Sequence, residues 1–482
     1  MISLIKNELI KVFSKKSIYI LAIVTTIFMG LNVAIYKFSE SGDLNETLVT
    51  VIEENLHNYD MKDPEELLWY VEDLSNVEMN KLASKYEQGS WQKTMVFTKA
   101  YDYIYRMNEA KYIDKDDNAY NECKNSYDEF VSKINAGDWK VFVLYEKELY
   151  EKELAMNESL LSGELEDKER LRIEKSIEKL KYSIEGVNMR LERNIAPDVS
   201  FLSSQVDRYV SSASSFVDYD KNEKNYVSRS ELVAKRDIES DMYESKYMVE
   251  HEISSKNAFD ASVLVRDEFS VAILFVIVAI IIVASTIMAE EYSKGTIKQL
   301  LIKPYSRGKI LLSKYITCLI IFGIFVLFYF ILSVVAYGFV GSFSDYLNPI
   351  VVYDFVSSSI KEYNLIAYCL LHLLALLPQY LIILSLSFFA STIVANTSVA
   401  MIISFISYFA GNIINVLIEA NNIKYLAWFP TMCWNFTSYL FGGISSFQYS
   451  SLGLSIIVSL IVLLILIILS FGLFKKKDIK NI

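Results

Sequence analysis

Two adjacent carboxylates, Glu290 and Glu291, are the residues of this sequence whose type and position most suggest chemistry. They come at the end of a long apolar run, where a bare charge is costly unless it contacts water or a partner. The three histidines (His57, His251 and His372) have no metal-ligand neighbour at a useful spacing, and no acid–base or nucleophile–base pair is recognisable. The pattern predicts interfacial charges that either hold a partner or only orient the chain, with no catalytic residues and no metal site.

The residues after the two acids predict a short helix at the membrane surface. Gly295 allows a sharp change of direction. Ile297, Leu300 and Leu301 then form one apolar face, and Pro304 ends the helix. Such a helix, joined stiffly to the apolar runs on both sides, is well placed to receive a push from a soluble partner.

Other recognisable binding chemistry is missing from the sequence. There is no Gly-x-x-x-x-Gly-Lys-Ser/Thr segment, so the chain has no phosphate cradle of the Walker type. The four cysteines are too few and too scattered for a disulfide framework, and we expect them to act as small apolar residues: Cys123, Cys318, Cys369 and Cys433.

Charged and apolar residues are separated along the chain, and this separation indicates which elements position the residues above. Hydrophobic residues make up 52% of the 482 residues and charged residues 22%. Residues 39–266 hold 48 acidic and 30 basic residues, a net charge of −18, whereas the remainder carries +7. Opposed regions of this kind indicate two solvents, water and bilayer, rather than one mixed soluble fold. The acidic surface could attract a cationic ligand, but a merely solvated surface is the more common explanation.

Apolar runs long enough to cross a bilayer need about 20 residues. Six runs qualify, and the first is too long for a cleaved signal and is interpreted as a retained anchor. The predicted spans are Ile18–Tyr36, Phe269–Ala289, Ile316–Val340, Leu365–Ala390, Thr392–Ile418 and Leu452–Phe474.

Basic residues near the spans predict their orientation, because Lys and Arg in short loops mark the cytoplasmic side. Six spans place all three basic clusters on one side, so both termini are expected in the cytoplasm and residues 39–266 outside the plasma membrane. The clusters are Lys6, Lys11, Lys15 and Lys16; Lys294, Lys298, Lys303, Arg307, Lys309 and Lys314; and Lys475, Lys476, Lys477 and Lys480.

The first residues predict an amphipathic helix. Ile2, Ile5, Leu9, Val12 and Phe13 recur at spacings of three and four, with the lysines mostly off that face. This helix could lie in the inner headgroup layer before the chain turns into the first span, or it could be an ordinary soluble helix.

Residues 39–266 are predicted to be helical almost throughout. Asp63-Pro64 followed by two glutamates is a strong helix start. A helix over about Trp139–Leu161 meets a second one across Ser162-Gly163-Glu164, which predicts an antiparallel coiled-coil hairpin. The apolar seam of its second arm is Ile173, Ile177, Leu180, Ile184, Val187 and Leu191. The Ser-rich segment 200–215 is expected to be a loop or a mobile connection. A polar helix from about Ser230 is expected to run directly into the second span.

The segment around the two acids resembles the permease subunits of type-2 ABC exporters. That family typically shows Glu-Glu-x-x-x-Gly-Thr, a Leu-Leu pair, then Pro and Arg between its second and third spans. The matching positions here are Glu290, Glu291, Gly295, Thr296, Leu300, Leu301, Pro304 and Arg307. The stretch Lys6–Lys11 also looks like the opening helix of the family, so the resemblance covers residues 1–40 and 267–482.

The resemblance implies an all-α protein with a six-span membrane domain. Residues 1–38 would hold the opening helix and first span, 39–266 an extracytoplasmic helical domain, and 267–482 the other spans with a cytoplasmic coupling helix near 290–307. It also implies that this chain is not itself an enzyme. ATP and Mg²⁺ would be bound by a separate ATPase subunit that contacts the eight matching residues, and no cofactor by this chain. The permease would work as a homodimer or heterodimer in a bacterial plasma membrane, without nucleic acid, and would export a drug, antimicrobial peptide or lipid-like compound. The large external domain departs from the common core of that family.

A second function class stays open from the sequence. The chain could be a surface protein that transports nothing and whose helical domain acts as a receptor or interaction scaffold. Residues that bind cargo are unknown, because the polar residues within the spans are few and more typical of contacts between helices. They are His372, Gln379, Asn396, Asn412 and Asn415.

Overall fold

The computed structural model describes residues 1–41, 43–163, 165–220, 228–255, 257–271, 273–302 and 304–476. These residues fold almost entirely into α-helices, so the all-α class is confirmed. In chain order the helices are α1 Ile2–Phe13, α2 Lys16–Ser41, α3 Asp43–Asn55, α4 Pro64–Ala83, α5 Trp91–Met95, α6 Tyr101–Glu109, α7 Asp117–Asn135, α8 Lys140–Leu161, α9 Asp167–Arg193, α10 Phe201–Asp220, α11 Arg229–Glu250, α12 Ala261–Val271, α13 Ile273–Ser293, α14 Ile297–Leu301, α15 Arg307–Gly338, α16 Leu365–Ile393, α17 Thr397–Ala420 and α18 Leu452–Lys476. Two strands, β1 Ile350–Asp354 and β2 Ser359–Tyr363, form a hairpin.

Six helices within the described ranges are long and apolar enough to cross a membrane, as the sequence predicts. Their candidate spans are Lys16–Lys37, Leu274–Ser293, Arg307–Gly338, Leu365–Ile393, Thr397–Ala420 and Leu452–Lys476. The third span is longer than expected, because its helix already starts at Arg307.

The centre of this bundle is α13, which packs against α15, α16 and α17. Its side chains Ile277, Ile281, Ala284 and Met288 have essentially no exposed surface. By contrast, only 17% of the apolar window of α18 is buried. Side chains of α2, α17 and α18 therefore present broad apolar surfaces to the surroundings, which suits contact with lipid.

The approach to the second span differs from the prediction. The polar helix α11 does not run into it but ends at Glu250, where Glu252 adopts a left-handed φ of 53° and Ile253 N donates to Met248 O at 3.0 Å. This is a Schellman-type helix end. A separate helix, α12, follows and packs against α15 and α16, so Phe269 belongs to α12 and not to the span.

The helical region between the first two spans has several apolar cores. Asp63 caps α4 by accepting from Glu65 N at 2.9 Å, as predicted. Helices α8 and α9 pack antiparallel: Asn157 near the end of α8 donates to Ser176 at 3.1 Å. The seam residues Ile173, Ile177, Leu180 and Val187 are buried, although Glu164 in the predicted turn lies outside the described residues.

The Ser-rich segment is a helix, so the predicted loop is wrong. Helix α10 packs against α9 and α11 through Val206, Tyr209 and Ala213. Its serines are small enough for close helix contact; Ser203 is fully buried and accepts from Arg190 Nη1 at 2.9 Å. Serine has a weak helix propensity, and the packed partners on both sides outweigh it.

The β-hairpin is the one element within the described chain that the all-α prediction lacks. All five residues of β1 are buried, and the strand pairs antiparallel with β2 from Ile350 opposite Tyr363 to Asp354 opposite Ser359. Strand β1 packs against α11, and this contact joins the helical region to the membrane bundle.

Candidate functional site

The backbone changes direction at Gly295, between α13 and α14. Gly295 has a φ of 69°, in the left-handed region, and its N–H donates to Tyr292 O at 3.1 Å. A Cβ at this position would meet no atom within 4 Å, so the backbone conformation and not a lack of space favours glycine. The predicted turn is confirmed.

Glu291, in the last turn of α13, is at the centre of a buried ionic cluster. Its Oε1 accepts hydrogen bonds from Lys11 Nζ at 2.8 Å and from Lys314 Nζ at 3.0 Å. Its Oε2 accepts from Thr296 Oγ1 at 2.5 Å. One carboxylate thus joins α1, α15 and the residue that precedes α14.

Lys314 is the cation at the centre of the cluster, and it has no exposed surface. It also donates to Glu8 Oε2 at 2.7 Å and to Ile287 O at 3.2 Å. Its three N–H groups are thereby matched by three acceptors. We name this group, Glu8, Lys11, Glu291 and Lys314, the inner ion cluster.

Charge in the inner ion cluster balances, with two carboxylates and two ammonium groups. Burial alone would lower the pKa of Lys11, but its hydrogen bond to Glu291 and the charges of Glu8, Glu291 and Glu290 outweigh burial and raise that pKa. Lys11 is therefore charged at neutral pH. Removing one partner would leave an uncompensated charge in a poorly solvated place.

Glu290 also has intramolecular partners. It forms ion pairs with Lys15 and with Lys294, the latter at 2.5 Å. Its side chain is 27% exposed, against 7% for Glu291. Glu290 can therefore be reached from outside the bundle, whereas Glu291 cannot.

The apolar face of α14 points inward. Ile297 and Leu300 are buried in the core of the bundle, and the side chain of Leu301 lies outside the described part. The opposite face exposes Lys298 and Gln299, and Ile302 just after the helix is 83% exposed. A partner would meet this outward face and not the apolar pattern visible in the sequence.

The segment between α14 and α15 is tied to the end of the last span. Pro304 and Tyr305 are exposed, while Lys303 lies outside the described residues. Arg307 donates from Nη1 to Lys475 O at 3.1 Å, and Ser306 caps α15 through Lys309 N. Arg307 thus links the start of the third span to the end of the sixth.

The opening helix α1 rests on α15. Its buried residues are Leu4, Glu8 and Val12, and of the predicted apolar face only Ile2 is exposed, at 84%. The amphipathic helix is confirmed. Its buried side packs on α15, and Glu8 in its middle reaches Lys314.

Comparisons with known proteins match mainly the second half of the chain. The profile of a family described as "Protein of unknown function (DUF2705)" matches residues 231–480, just over half of the sequence. The chain belongs to the DUF2705 family. A protein of Bacillus subtilis (strain 168) described as "Uncharacterized protein YhcI" is 29% identical over 241 residues, which are 49% of this chain and 74% of that protein. No solved structure matches.

The DUF2705 match contains α12 to α18 and hence Glu290, Glu291, Gly295 and Lys314. Glu8 and Lys11 lie outside it, although they complete the inner ion cluster. In the sequence these residues were visible only as parts of a helix and of basic clusters. A lone lysine between Ile310 and Ile316, in an apolar stretch, was the signal that Lys314 needed a buried partner.

A second buried carboxylate in the DUF2705 region was also missed. Glu268 of α12 accepts hydrogen bonds from Tyr329 at 2.6 Å and from Tyr337 at 2.9 Å. The neighbouring Arg266 points elsewhere, to Asp267 at 2.8 Å and Glu244 at 3.6 Å. Because Glu268 directly precedes an apolar run, its position in the sequence suggested a boundary and not a buried group.

Within the described residues no three His, Cys, Asp or Glu side chains lie close enough together to hold a metal ion. The four cysteines are not paired with one another there. What the inner ion cluster can do is mechanical: it fixes α1, the end of α13 and the first part of α15 relative to α14.

Proposed function

We propose that this chain is the permease subunit of a type-2 ABC exporter and works with a separate ATPase subunit. The observation that carries the proposal is the contact of Glu291 with Lys11, Lys314 and Thr296. It ties the short surface helix α14 to three longer helices at the place where the sequence resembles the coupling segment of that family.

The outward face of α14 is the proposed contact for the ATPase. Lys298, Gln299, Ile302 and Tyr305 are exposed there, around a helix whose other face is buried. A displacement of this helix cannot be absorbed locally, because Ile297 and Leu300 are packed in the core. Movement would pass to α13 and α15, and the spans would shift between two arrangements.

Glu291 serves in this proposal as a positioning residue and not as a direct contact. It is 6% exposed and fully engaged within the chain, so a partner cannot reach it. Glu290, which is more exposed, can exchange one of its lysine partners for a group on the ATPase. The other matching residues position the segment: Gly295, Thr296, Leu300, Leu301, Pro304 and Arg307.

The proposed orientation puts both termini and α14 in the cytoplasm and the helical region outside the plasma membrane. The distribution of basic residues supports it. The net charge of −18 over residues 39–266 suits a domain in water. In this arrangement α8 and α9 are an extracytoplasmic coiled-coil hairpin.

The proposed cargo is a hydrophobic or amphipathic compound such as a drug, an antimicrobial peptide or a lipid. Few charged groups lie between the ends of the spans, which disfavours a path for small ions. The exposed apolar surfaces of α2, α17 and α18 leave room for a second permease chain as well as lipid, so we propose a dimer.

A second candidate function rests on the helical region itself. Its cores around Ile104 and Ile134 and around Val206 and Tyr209 are built from local helices, which suits a receptor or interaction scaffold that needs no transport. Such a protein would need neither ATPase nor coupling helix.

The test is co-purification of the tagged chain with an ABC ATPase from the cells that produce it, followed by measurement of ATP hydrolysis in nanodiscs. We expect association and hydrolysis that depends on both subunits, and Glu291→Gln should reduce the hydrolysis. The matched control is Glu185→Gln, which also breaks a lysine pair, at 2.6 Å, but in the helical region. If the unsubstituted chain neither associates with an ATPase nor stimulates ATP hydrolysis, the scaffold is favoured.

A further inference from the structure

A cavity of about 410 Å³ lies where the helical region meets the membrane bundle. Its walls come from α11, from β1 and the residues after it, from the first turns of α16 and from the loop 437–444. Helix α11, strand β1 and the loop 437–444 are distant from one another in the sequence, so the cavity forms only when the chain folds. Nothing in the proposed coupling role uses it.

His372 of α16 has a buried ring nitrogen that forms no hydrogen bond within the described residues. Its Nδ1 has essentially no exposed surface and no hydrogen-bond partner in the described part of the chain. Buried polar atoms without partners are uncommon and need an explanation. Because His372 lines the cavity, a ligand there could supply the missing partner.

Arg236 of α11 places a cation in the same cavity. One N–H of its guanidinium donates to Gly442 O at 2.6 Å, and its central carbon lies 4.8 Å from the ring centre of Phe355. These two contacts hold the guanidinium at the wall of the cavity. A guanidinium has five N–H donors, so several remain for an anion such as a phosphate or a carboxylate.

Asp237, the next residue, also lines the cavity and is exposed. Within the described part of the chain its carboxylate forms no ion pair, and it would repel a ligand that is purely anionic. A ligand ammonium group would be a favourable partner for this carboxylate. Because Arg236 and Asp237 place opposite charges side by side, they fit a ligand that carries both a negative and a positive group.

An apolar groove of about 300 Å³ uses the same turns of α16. Ile366, Leu370 and Leu373 form one wall, and Phe322 and Gly323 of α15 form the other. Leu373 directly follows His372, so the polar cavity and the apolar groove occupy neighbouring faces of one helix. Ile366 and Leu370 are more than half exposed, so the groove opens towards the surroundings of the bundle.

We propose that the cavity and the groove together bind one amphipathic molecule whose headgroup carries an anionic group and an ammonium group. The anion lies against Arg236 and His372, the ammonium near Asp237, and the alkyl chain in the groove beside Gly323. Phosphoethanolamine lipids carry this headgroup chemistry together with an alkyl chain. The proposal goes beyond ATPase coupling and needs no partner subunit.

Native mass spectrometry of the purified full chain tests the proposal with three probes. They are lysophosphatidylethanolamine, lysophosphatidylglycerol, and glycerophosphoethanolamine, which has the headgroup without the alkyl chain. We expect one saturable adduct of lysophosphatidylethanolamine, with weaker binding of the other two. Glycerophosphoethanolamine binding equally well would show a site for free zwitterions and overturn the role of the groove.

Variants separate the parts of the site. Arg236→Gln should weaken binding about tenfold or more, as expected for a lost charge-assisted hydrogen bond. Asp237→Asn should abolish the preference for lysophosphatidylethanolamine over lysophosphatidylglycerol. Gly323→Leu should fill the groove and reduce binding of both lysolipids, whereas Gly30→Leu, at a position where an added Cβ likewise meets no atom within 4 Å, should not.

Unchanged binding in Arg236→Gln or in Gly323→Leu would overturn the proposal. So would equal affinity of the unsubstituted chain for the two lysolipids. Because the ATPase is absent from the assay, failure here is distinguishable from failure of the proposed coupling function.

Discussion

Lys314 Nζ lies 2.7 Å from Glu8 Oε2, although 306 residues separate the two in the sequence. The contact fixes the opening helix on the third span, and through Glu291 it reaches the turn at Gly295. Both side chains are withdrawn from solvent: that of Lys314 is 0% exposed and that of Glu8 7%. The stability of this end of the bundle should therefore depend on charge balance.

Replacing Lys314 by methionine tests that dependence. Lys314→Met leaves Glu8 and Glu291 with only the half-exposed Lys11, and we expect a loss of about 3 to 5 kcal/mol of unfolding free energy. The measurement is thermal unfolding in detergent. Lys361→Met is the control, because it removes a lysine that is 45% exposed from its pair with Asp354. Similar Tm values for the two variants would contradict the central role of Lys314.

Substitutions at two glycines distinguish an effect on coupling to the ATPase from an effect of backbone strain alone. Gly295→Val and Gly137→Val each force a residue with a left-handed φ (69° and 81°) into a poor conformation, and in neither case does a Cβ meet an atom within 4 Å. Each should cost about 1 to 3 kcal/mol. Only Gly295→Val should reduce ATP hydrolysis by the assembled complex. An equal effect of Gly137→Val on hydrolysis would refute the specific role of the turn.

Helices α9 and α10 are in such close contact that adding a side-chain atom at Gly186 should disrupt their packing. A Cβ on Gly186 would lie 2.3 Å from Val210 Cγ2, so Gly186→Ala should destabilise the helical region by about 1 to 3 kcal/mol. Thermal unfolding measures the effect, and adding Val210→Ala should recover part of it. Gly163→Ala, whose nearest neighbour is 3.5 Å away, should be close to neutral.

Glu244 predicts a dependence of stability on pH. Burial raises the pKa of this carboxyl against the opposing effects of Arg266, Tyr353 N–H and Ser240. The raised pKa means that the folded state binds the proton more tightly than the unfolded state does. The stability contributed by the protonated group is therefore full below its ordinary pKa of 4.5 and is lost as pH rises through the folded value.

We expect the Tm of the unsubstituted chain, relative to Glu244→Gln, to fall as pH rises from about 4. The comparison is a series of thermal unfolding scans of both proteins at matched ionic strength. A Tm difference that does not change with pH, or that grows in favour of the unsubstituted chain as pH rises, would contradict this assignment.

Cysteine labelling tests the orientation. Cys123, in the helical region and partly exposed, should react with a membrane-impermeant maleimide on intact cells. Lys298→Cys in a Cys123→Ser background should react only after permeabilisation. Labelling of position 298 on intact cells would reverse the topology and remove the proposed contact with a cytoplasmic ATPase.

Features that depend on neighbouring residues could be predicted from the sequence. The six apolar helices follow from run length, because crossing hydrocarbon requires about 20 apolar residues whatever surrounds them. The cap at Asp63 and the turn at Gly295 follow from local backbone chemistry. The seam from Ile173 to Val187 follows from helical periodicity.

Features that depend on distant partners could not be predicted. Helix α10 was expected to be a loop because serine propensity is weak, yet packing against α9 and α11 decides its structure. Glu291 was recognised as a charge that needed a partner, but its partners, Lys11 and Lys314, come from other helices. The inward direction of Ile297 and Leu300 is likewise set by the bundle against which they pack.

The sequence by itself determined that this is a helical chain with six apolar helices and a large acidic helical region, because hydrophobic periodicity and run length act locally. Only the tertiary structure decided that Glu8, Lys11, Glu291 and Lys314 meet, and that Arg236 and His372 share a cavity. Such contacts depend on how helices pack across hundreds of residues, and no spacing along the chain encodes a distance between side chains so far apart.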